Sequence, residues 1–402
     1  MARDLRFETA IAFARDLIRL PSLPGQEAQL AARVRTELEH LRFDDVWIDE
    51  LGSVLGRVRG RGQAPSLLIS CHLDAVDVGD AAAWAHDPFA ADIEDGWLHG
   101  RGSMDIKGPL ALITYAAAHG LESRPAGDVI VAHTVLEERG GWGMAHVMER
   151  IGSEIGAAII GEATAGDVCT GHRGRAEVVV EVVGKAGHAS APDRAHNPIE
   201  LLPRLVPALQ RFADALPSDV ALGRSTIAPT MIETLPRSRN VIPDRVRLTL
   251  DWRVLAGDTP VQLLDRLDTY LVAEIGPAAP FEVHTRIGVE RQTTYTGEAA
   301  DRPLFTPGFL MRSDHPIVDA AVAAVAARTG RRPATRPWTF ATDGGYTCGV
   351  GGVPTLGFAP GEERFAHTDT ERLELASARA VYDAYPDVFG AVQNAARALR
   401  DR

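Results

Sequence analysis

The sequence predicts an α/β protein in two parts, a mixed, mostly parallel sheet domain interrupted by a smaller α+β domain. Three observations lead there. A chain of 402 residues is too long for one ordinary core. Up to about Gly174, short apolar runs alternate with helical stretches, which is the pattern of a largely parallel sheet. Between Gly174 and about Arg291 the strands alternate polar and apolar residues, as half-exposed strands do, and the first pattern then returns.

Taken in order, helical spacing of apolar residues runs from Phe7 to Leu20, where Pro21 stops it, and again from Gln26 to Leu41. "SLLISC" at 66–71 reads as a buried strand, "GPLALITYAAAHGL" at 108–121 as a helix, and "DVIVAHTVL" and "AAIIG" as two further strands. Within the expected insertion, "RAEVVVEVVGKAG", "RVRLTLDWRVL" and "FEVHTRIGV" alternate like strands, while "NPIELLPRLVPALQRFADAL" and "VQLLDRLDTYLVAEIG" are helical. "HPIVDAAVAAVAARTG" and the last segment are helical and "VPTLGF" is a strand. "QTTYTGEAADRPLFTPG" has turn chemistry and little periodicity, so it is expected to be a loop. The boundaries expected are 1–174 and 292–402 for the larger domain and 175–291 for the inserted one. No internal repeat or low-complexity tract is present.

Composition excludes several functions. A hydrophobic content of 45% with 24% charged residues describes a globular protein, and a formal net charge of -12 without a clustered Lys/Arg patch argues against nucleic acid as a partner. The N-terminal segment has acids throughout and no unbroken apolar stretch, so it reads as the first helix of the fold and not as a leader. No run approaches the roughly 18 apolar residues of a membrane span. Cys71, Cys169 and Cys348 are an odd count without CxxC spacing, which fits a reducing compartment, the cytoplasm by default, and rules out a cysteine zinc cluster.

Polar residues collect where the strands end. His72 and Asp74 follow "SLLISC", Asp105 follows "WLHGRGSM", Glu137 and Glu138 follow "DVIVAHTVL", Glu162 follows "AAIIG", and His367 and Asp369 lie beyond "VPTLGF". Strand ends of an open α/β sheet are where ligands bind. Any one of these residues has an ordinary structural explanation, but five loops each supplying an imidazole or carboxylate is the ligand chemistry of zinc. Hydrolytic sites often use two such ions about 3.5–4 Å apart joined by a carboxylate. Asp74, two positions beyond His72, could accept the imidazole's second N–H. The two neighbouring acids, Glu137 and Glu138, alternate in direction and so could do different work. If Glu138 binds metal, Glu137 is left to hold a water and move its proton.

The segments "SCHLDAVD", "GRGSMDIKGPLA", "TVLEERGG", "IIGEAT", "GKAGHASAP", "RNVIPD" and "FAHTDTE" resemble, in order and approximate spacing, the signatures of the acetylornithine deacetylase, succinyl-diaminopimelate desuccinylase, carboxypeptidase G and aminoacylase family of di-zinc metallopeptidases. The resemblance spans about residues 5 to 395. It implies a zinc-peptidase-like catalytic domain and an inserted, ferredoxin-like lid that also dimerises. It implies that Asp105 bridges two ions, with His72 and Glu162 completing one site and Glu138 and His367 the other. Glu137 would be general base and acid, Asp74 the partner of His72, and His188 the residue that reaches across a homodimer to steady the oxyanion. Asn240 and Arg253 match lid positions that contact substrate. Arg173 could bind a carboxylate bidentately.

Departures from the commoner pattern, "GEAT" and "AHTDTE", change no ligand, while Thr342 and Asp343 stand where many relatives carry other small or polar residues and leave the substrate open. His86, His99 and His133 read as structural, Cys71 as a packed thiol, and "GRGRGQ" as a hairpin turn. The expectation is a cytoplasmic di-zinc hydrolase, with Co2+ or Mn2+ as substitutes, cleaving the amide of a small N-acyl amino acid. Dipeptidase or carboxypeptidase activity is the alternative, and a non-catalytic metal-dependent binding protein a remote one.

Overall fold

The computed structural model describes residues 2–401, which form two compact units. The first comprises residues up to His172, Arg291–Ala300 and the chain from Phe309 onward. The second comprises Arg173–Glu290 and Asp301–Gly308.

The first unit is built on an eight-stranded mixed sheet. Across it the strands run Asp45–Ile48, Val54–Val58, Val129–Thr134, Ser66–His72, Ile155–Ile160, Thr355–Gly357, Val168–Cys169 and Thr335–Arg336. The four in the middle, from Val129–Thr134 to Thr355–Gly357, are mutually parallel. Their residues are apolar almost without interruption because helices cover both faces of a parallel sheet. Val131, Ile69 and Ile159 are fully buried. The helix Lys107–Ala118 is apolar all round and accordingly buried over nearly its whole length. Parallel strands all finish at one edge, so the residues that follow His72, Thr134, Ile160 and Gly357 meet there.

In the second unit, Gly174–Val183, Leu202–Ala215, Thr226–Leu235, Arg245–Val254, Pro260–Ile275 and Glu282–Ile287 follow one another as βαββαβ. The strand order places Thr226–Leu235 at one edge, then Arg245–Val254, Gly174–Val183 and Glu282–Ile287. This is the ferredoxin-like arrangement. Ala176, Val178, Val180 and Val182 are fully buried while Arg175, Glu177 and Glu181 on the alternate positions are less so, a period-two pattern of one-sided burial that only Val179 interrupts. Leu205, Leu209, Leu263, Leu267 and Trp252 complete that core.

The stretch 292–308 corrects the sequence expectation of a loop. Val289–Thr293 and Ala299–Pro303 pair as a two-stranded ladder, and Phe305–Thr306 pairs with Ala176 and Arg175. Its turn residues close a hairpin, with Gly297 at φ +95°, and strands this short carry too few side chains to show a period. Residues 301–308 cluster with the second unit. Among the described residues no helix is long and apolar enough to cross a membrane.

Candidate metal centre

Each acid and imidazole at the sheet edge is delivered by its own loop. His72 is the last residue of its strand and is almost fully buried. Its Nδ1 lies 2.7 Å from the main-chain carbonyl of Asp74, which can only accept, so Nδ1 carries the proton and Nε2 faces the acids. Here the structure differs from the sequence reading, in which the Asp74 side chain was the partner. Its Oδ1 is 3.7 Å away, and the carboxylate instead accepts the backbone N–H groups of Glu137 at 3.1 Å and Glu138 at 3.0 Å. The chain turns as soon as the strand ends, so the alternation of an extended segment no longer applies at Asp74.

The two adjacent acids are held by that clamp and by a tight turn. Leu136 adopts φ +58° and Gly141 φ +74°, and the N–H of Gly141 returns to the carbonyl of Leu136. Gly141 is also required sterically: a Cβ there would lie 2.6 Å from the Tyr346 ring and 3.0 Å from Asp343 Oδ1. Glu138 Oε1 lies 3.0 Å from His367 Nε2. Glu137 can bring a carboxylate oxygen within 4.8 Å of ligand atoms of both His72 and Glu162, and His72, Asp105 and Glu138 form a second such group. The neighbouring acids thus share His72 but differ in their other neighbours, Glu162 for Glu137 and Asp105 and His367 for Glu138.

Asp105 lies between the imidazoles, with Oδ1 3.3 Å from His72 Nε2 and Oδ2 3.2 Å from His367 Nε2. Glu162 Oε1 is 3.2 Å from His72 Nε2. His367 occupies a left-handed conformation, φ +59°, and its side chain is 53% exposed. The first unit therefore brings together His72, Asp74, Asp105, Glu137, Glu138, Glu162 and His367.

The electrostatics call for cations. Burial raises the Glu137 carboxyl well above its ordinary value, with the Glu162 and Asp343 charges adding to it, and raises Glu162 to about 7. The carboxylates of Asp105 and Glu138 lift His367 to about 10. Those of Asp105 and Glu162 overcome the burial of His72 and raise it too. Asp105 is held low by the imidazoles although burial opposes its charge. Protons on imidazoles thus do the neutralising that divalent ions do in carboxylate and imidazole sites. The chemistry of the donor set fits such ions, and two overlapping groups, His72 with Glu137 and Glu162 and His72 with Asp105 and Glu138, bring ligand atoms close enough to hold one.

Sequence reasoning missed Glu371 and read Asp343 too loosely. Glu371 is fully buried, and burial together with the Asp105 charge pushes its carboxyl up to about 7. No pattern in "HTDTE" announces this. Asp343 is 3% exposed, accepts a hydrogen bond from Thr134 at 2.8 Å, and keeps its Oδ1 buried without a hydrogen-bond partner. His133 is fully buried against Thr114 and held to about 3 by that burial, a neutral structural histidine. Cys71 is likewise a buried thiol.

The remaining predicted residues lie in the second unit. His188 and Asn240 are brought together by a short ladder in which His188 pairs with Val241, and the N–H of Ala189 donates to the Asn240 carbonyl. His188 Nδ1 accepts the Ser190 N–H at 3.1 Å, so the neutral ring carries its proton on Nε2. Arg253 pairs with Asp251 at 2.8 Å, and Arg173 donates to the carbonyl of Arg224 at 2.7 Å.

Comparison with known proteins gives a consistent result. The family model for peptidase family M20/M25/M40 matches residues 68–389. An uncharacterized protein, YgeY, of Escherichia coli strain K12 is 30% identical over 383 residues, covering 93% of each chain. Succinyl-diaminopimelate desuccinylase of Rhodospirillum centenum is 33% identical over 344 residues, covering 80% of this chain and 82% of that one. Among solved structures, the M20 metallo-carboxypeptidase Sso-CP2 of Sulfolobus solfataricus superposes with a TM-score of 0.72 at 16% identity, over 96% of this chain and 99% of that one. The YXEP protein of Bacillus subtilis, described as a dinuclear metal-binding peptidase, gives 0.70 at 17% identity over 97% and 98%.

Proposed function

The chain belongs to peptidase family M20/M25/M40 and is a metal-dependent hydrolase, and from that premise we propose that it cleaves the amide bond of a small N-acylated amino acid, with Glu137 as general base and then general acid. The observation that carries this reading is the split between the two adjacent acids. Glu138 faces His367 at 3.0 Å, while Glu137 adjoins His72 and Glu162 and has a proton affinity raised by burial and neighbouring charge. A carboxyl so tuned takes a proton from the attacking water and returns it to the departing nitrogen.

Two divalent ions held by His72, Glu162, Asp105, Glu138 and His367 would supply Lewis acidity at the scissile carbonyl and lower the pKa of water. The ions are proposed to be zinc, for which imidazole and carboxylate are suitable donors, with Co2+ or Mn2+ able to substitute. Asp74 fixes the backbone from which Glu137 and Glu138 project. His188 of the partner subunit would donate from Nε2 to the oxyanion, a role supported by the Ser190 N–H on Nδ1. Asn240, Arg253 and Arg173 are proposed substrate contacts, although Asp251 already engages Arg253.

A homodimer through the second unit is part of this reading. Thr226–Leu235 is a ten-residue edge strand on which Met231 is 53% and Ile232 57% exposed, and a long apolar edge is commonly covered by another chain. A cytoplasmic location is supported by three free cysteines. The desuccinylase relative supports an acyl amino acid over a dipeptide.

The test is hydrolysis of N-acetyl, N-succinyl and N-formyl amino acids and of dipeptides by purified protein, before and after chelation and zinc restoration. Chelator-sensitive release of an amino acid from one acyl series supports the proposal. Cleavage confined to dipeptides replaces it with a dipeptidase, and binding without turnover replaces it with a non-catalytic protein.

A further inference from the structure

We propose that Glu371 is a positioning residue for the metal centre, its buried carboxylate clamping the Asp105 loop to the His367 loop. Glu371 lies four residues beyond His367, at the end of the same loop. Its Oε1 accepts the backbone N–H groups of Met104 and Asp105, both at 3.1 Å. Its Oε2 accepts from Arg101 Nη1 at 2.6 Å, and its own carbonyl accepts the N–H of Gly100 at 3.2 Å. Arg101 carries the connection further: Nη2 donates to the carbonyl of Asp77 at 3.2 Å, and the guanidinium lies 5.0 Å from the centre of the Trp84 ring. Through this pair the segments following His72, preceding Asp105 and following His367 become one hydrogen-bonded body.

The arrangement repeats what Asp74 does on the other side. Asp74 receives two consecutive amides, those of Glu137 and Glu138, and Glu371 receives two consecutive amides ending at Asp105. A carboxylate buried this close to other acids is unfavourable unless it has specific donors, and its donors lie just before or at the ligand that faces both imidazoles. Groups that orient ligands in this way typically set metal affinity by about 10–100-fold. The inference rests on the dinuclear reading above, and its test separates the two.

Glu371→Gln keeps an oxygen for the amides but turns an NH2 toward Arg101. Because that leaves a buried guanidinium unpaired, the double variant Glu371→Gln/Arg101→Met is made beside it. Zinc affinity of the full chain is measured by competition with a chromophoric chelator, with the absorption spectrum of the Co2+-loaded protein and the thermal midpoint of the metal-free protein. The expected result is a lowered midpoint for the single variant and one nearer that of the unsubstituted chain for the double variant, with about 10–100-fold weaker binding of at least one zinc and a changed Co2+ spectrum in both. Unchanged zinc affinities and an unchanged spectrum overturn the proposal. So does failure of both variants to fold, since Glu371 would then serve the fold and not the centre. If the unsubstituted chain itself binds no zinc, it is the dinuclear reading that falls.

Discussion

Asp105 turns one carboxylate oxygen toward Nε2 of His367 at 3.2 Å while its other oxygen stays 3.3 Å from Nε2 of His72. One short side chain thus joins two imidazoles from opposite ends of the sequence. Removing it separates the halves of the site.

Asp105→Ala is accordingly expected to lose bound metal as well as activity. Metal analysis of the purified variant should fall below two ions per chain, and turnover should drop by more than the ~10–100-fold typical of supporting residues. Two retained ions would mean that Asp105 does not bridge.

Glu137→Gln separates chemistry from binding. Losing a general base or acid typically costs about 10²–10⁴-fold in rate, and the variant should keep both ions, because Glu138 and not Glu137 is the proposed ligand. Metal content and kcat measured on one preparation decide it. A loss of metal would place Glu137 among the ligands, as its closeness to His72 and Glu162 permits.

Asp74→Asn keeps the size of the side chain but presents an NH2 where one backbone N–H now finds an acceptor. We expect both ions to remain and kcat to fall about 10–100-fold, with little change in KM, since the backbone carrying Glu137 and Glu138 would shift. Steady-state kinetics with metal analysis test this.

Stability of the metal-free protein should fall as pH rises. His367, raised to about 10 from an ordinary 6.5, contributes stability that is complete below about 6.5 and lost as pH passes through 10. Glu162 is raised from 4.5 to about 7, so keeping it ionised in the folded chain costs stability progressively as pH climbs through that interval. Both effects have the same sign. Thermal midpoints of chelated protein between pH 6 and about 9.5 should decline, and added zinc should remove most of the decline. A flat profile without metal would contradict the site electrostatics.

Much of this was legible in the sequence, for identifiable reasons. His72 ends an apolar strand and Glu138 and Glu162 follow two others within a few residues, so strand recognition pointed to them. The alternation of Val178, Val180 and Val182 revealed the one-sided sheet of the second unit. The hydrogen bond on His72 Nδ1 is to the main chain of Asp74, with the carboxylate farther off at 3.7 Å, because the two-residue rule holds only inside a strand and the chain turns after His72. Glu371 escaped notice because its importance lies in amides 266 and 267 positions away, which no local pattern encodes. The hairpin within 292–308 was hidden by strands too short to be periodic.

The wide separation of the ligands also governs when the site can exist at all. Glu138 and His367 meet across 229 positions. A ribosome releases the N-terminal strands, with His72, Asp105 and both glutamates, long before His367 emerges. The growing chain therefore carries His72 and the acids without the second imidazole, and on the proposed dinuclear reading the ion that His367 would help hold loads only after the final segment docks. Interrupted or C-terminally truncated chains would be selectively metal-poor, so metal content per chain would report whether synthesis and folding ran to completion.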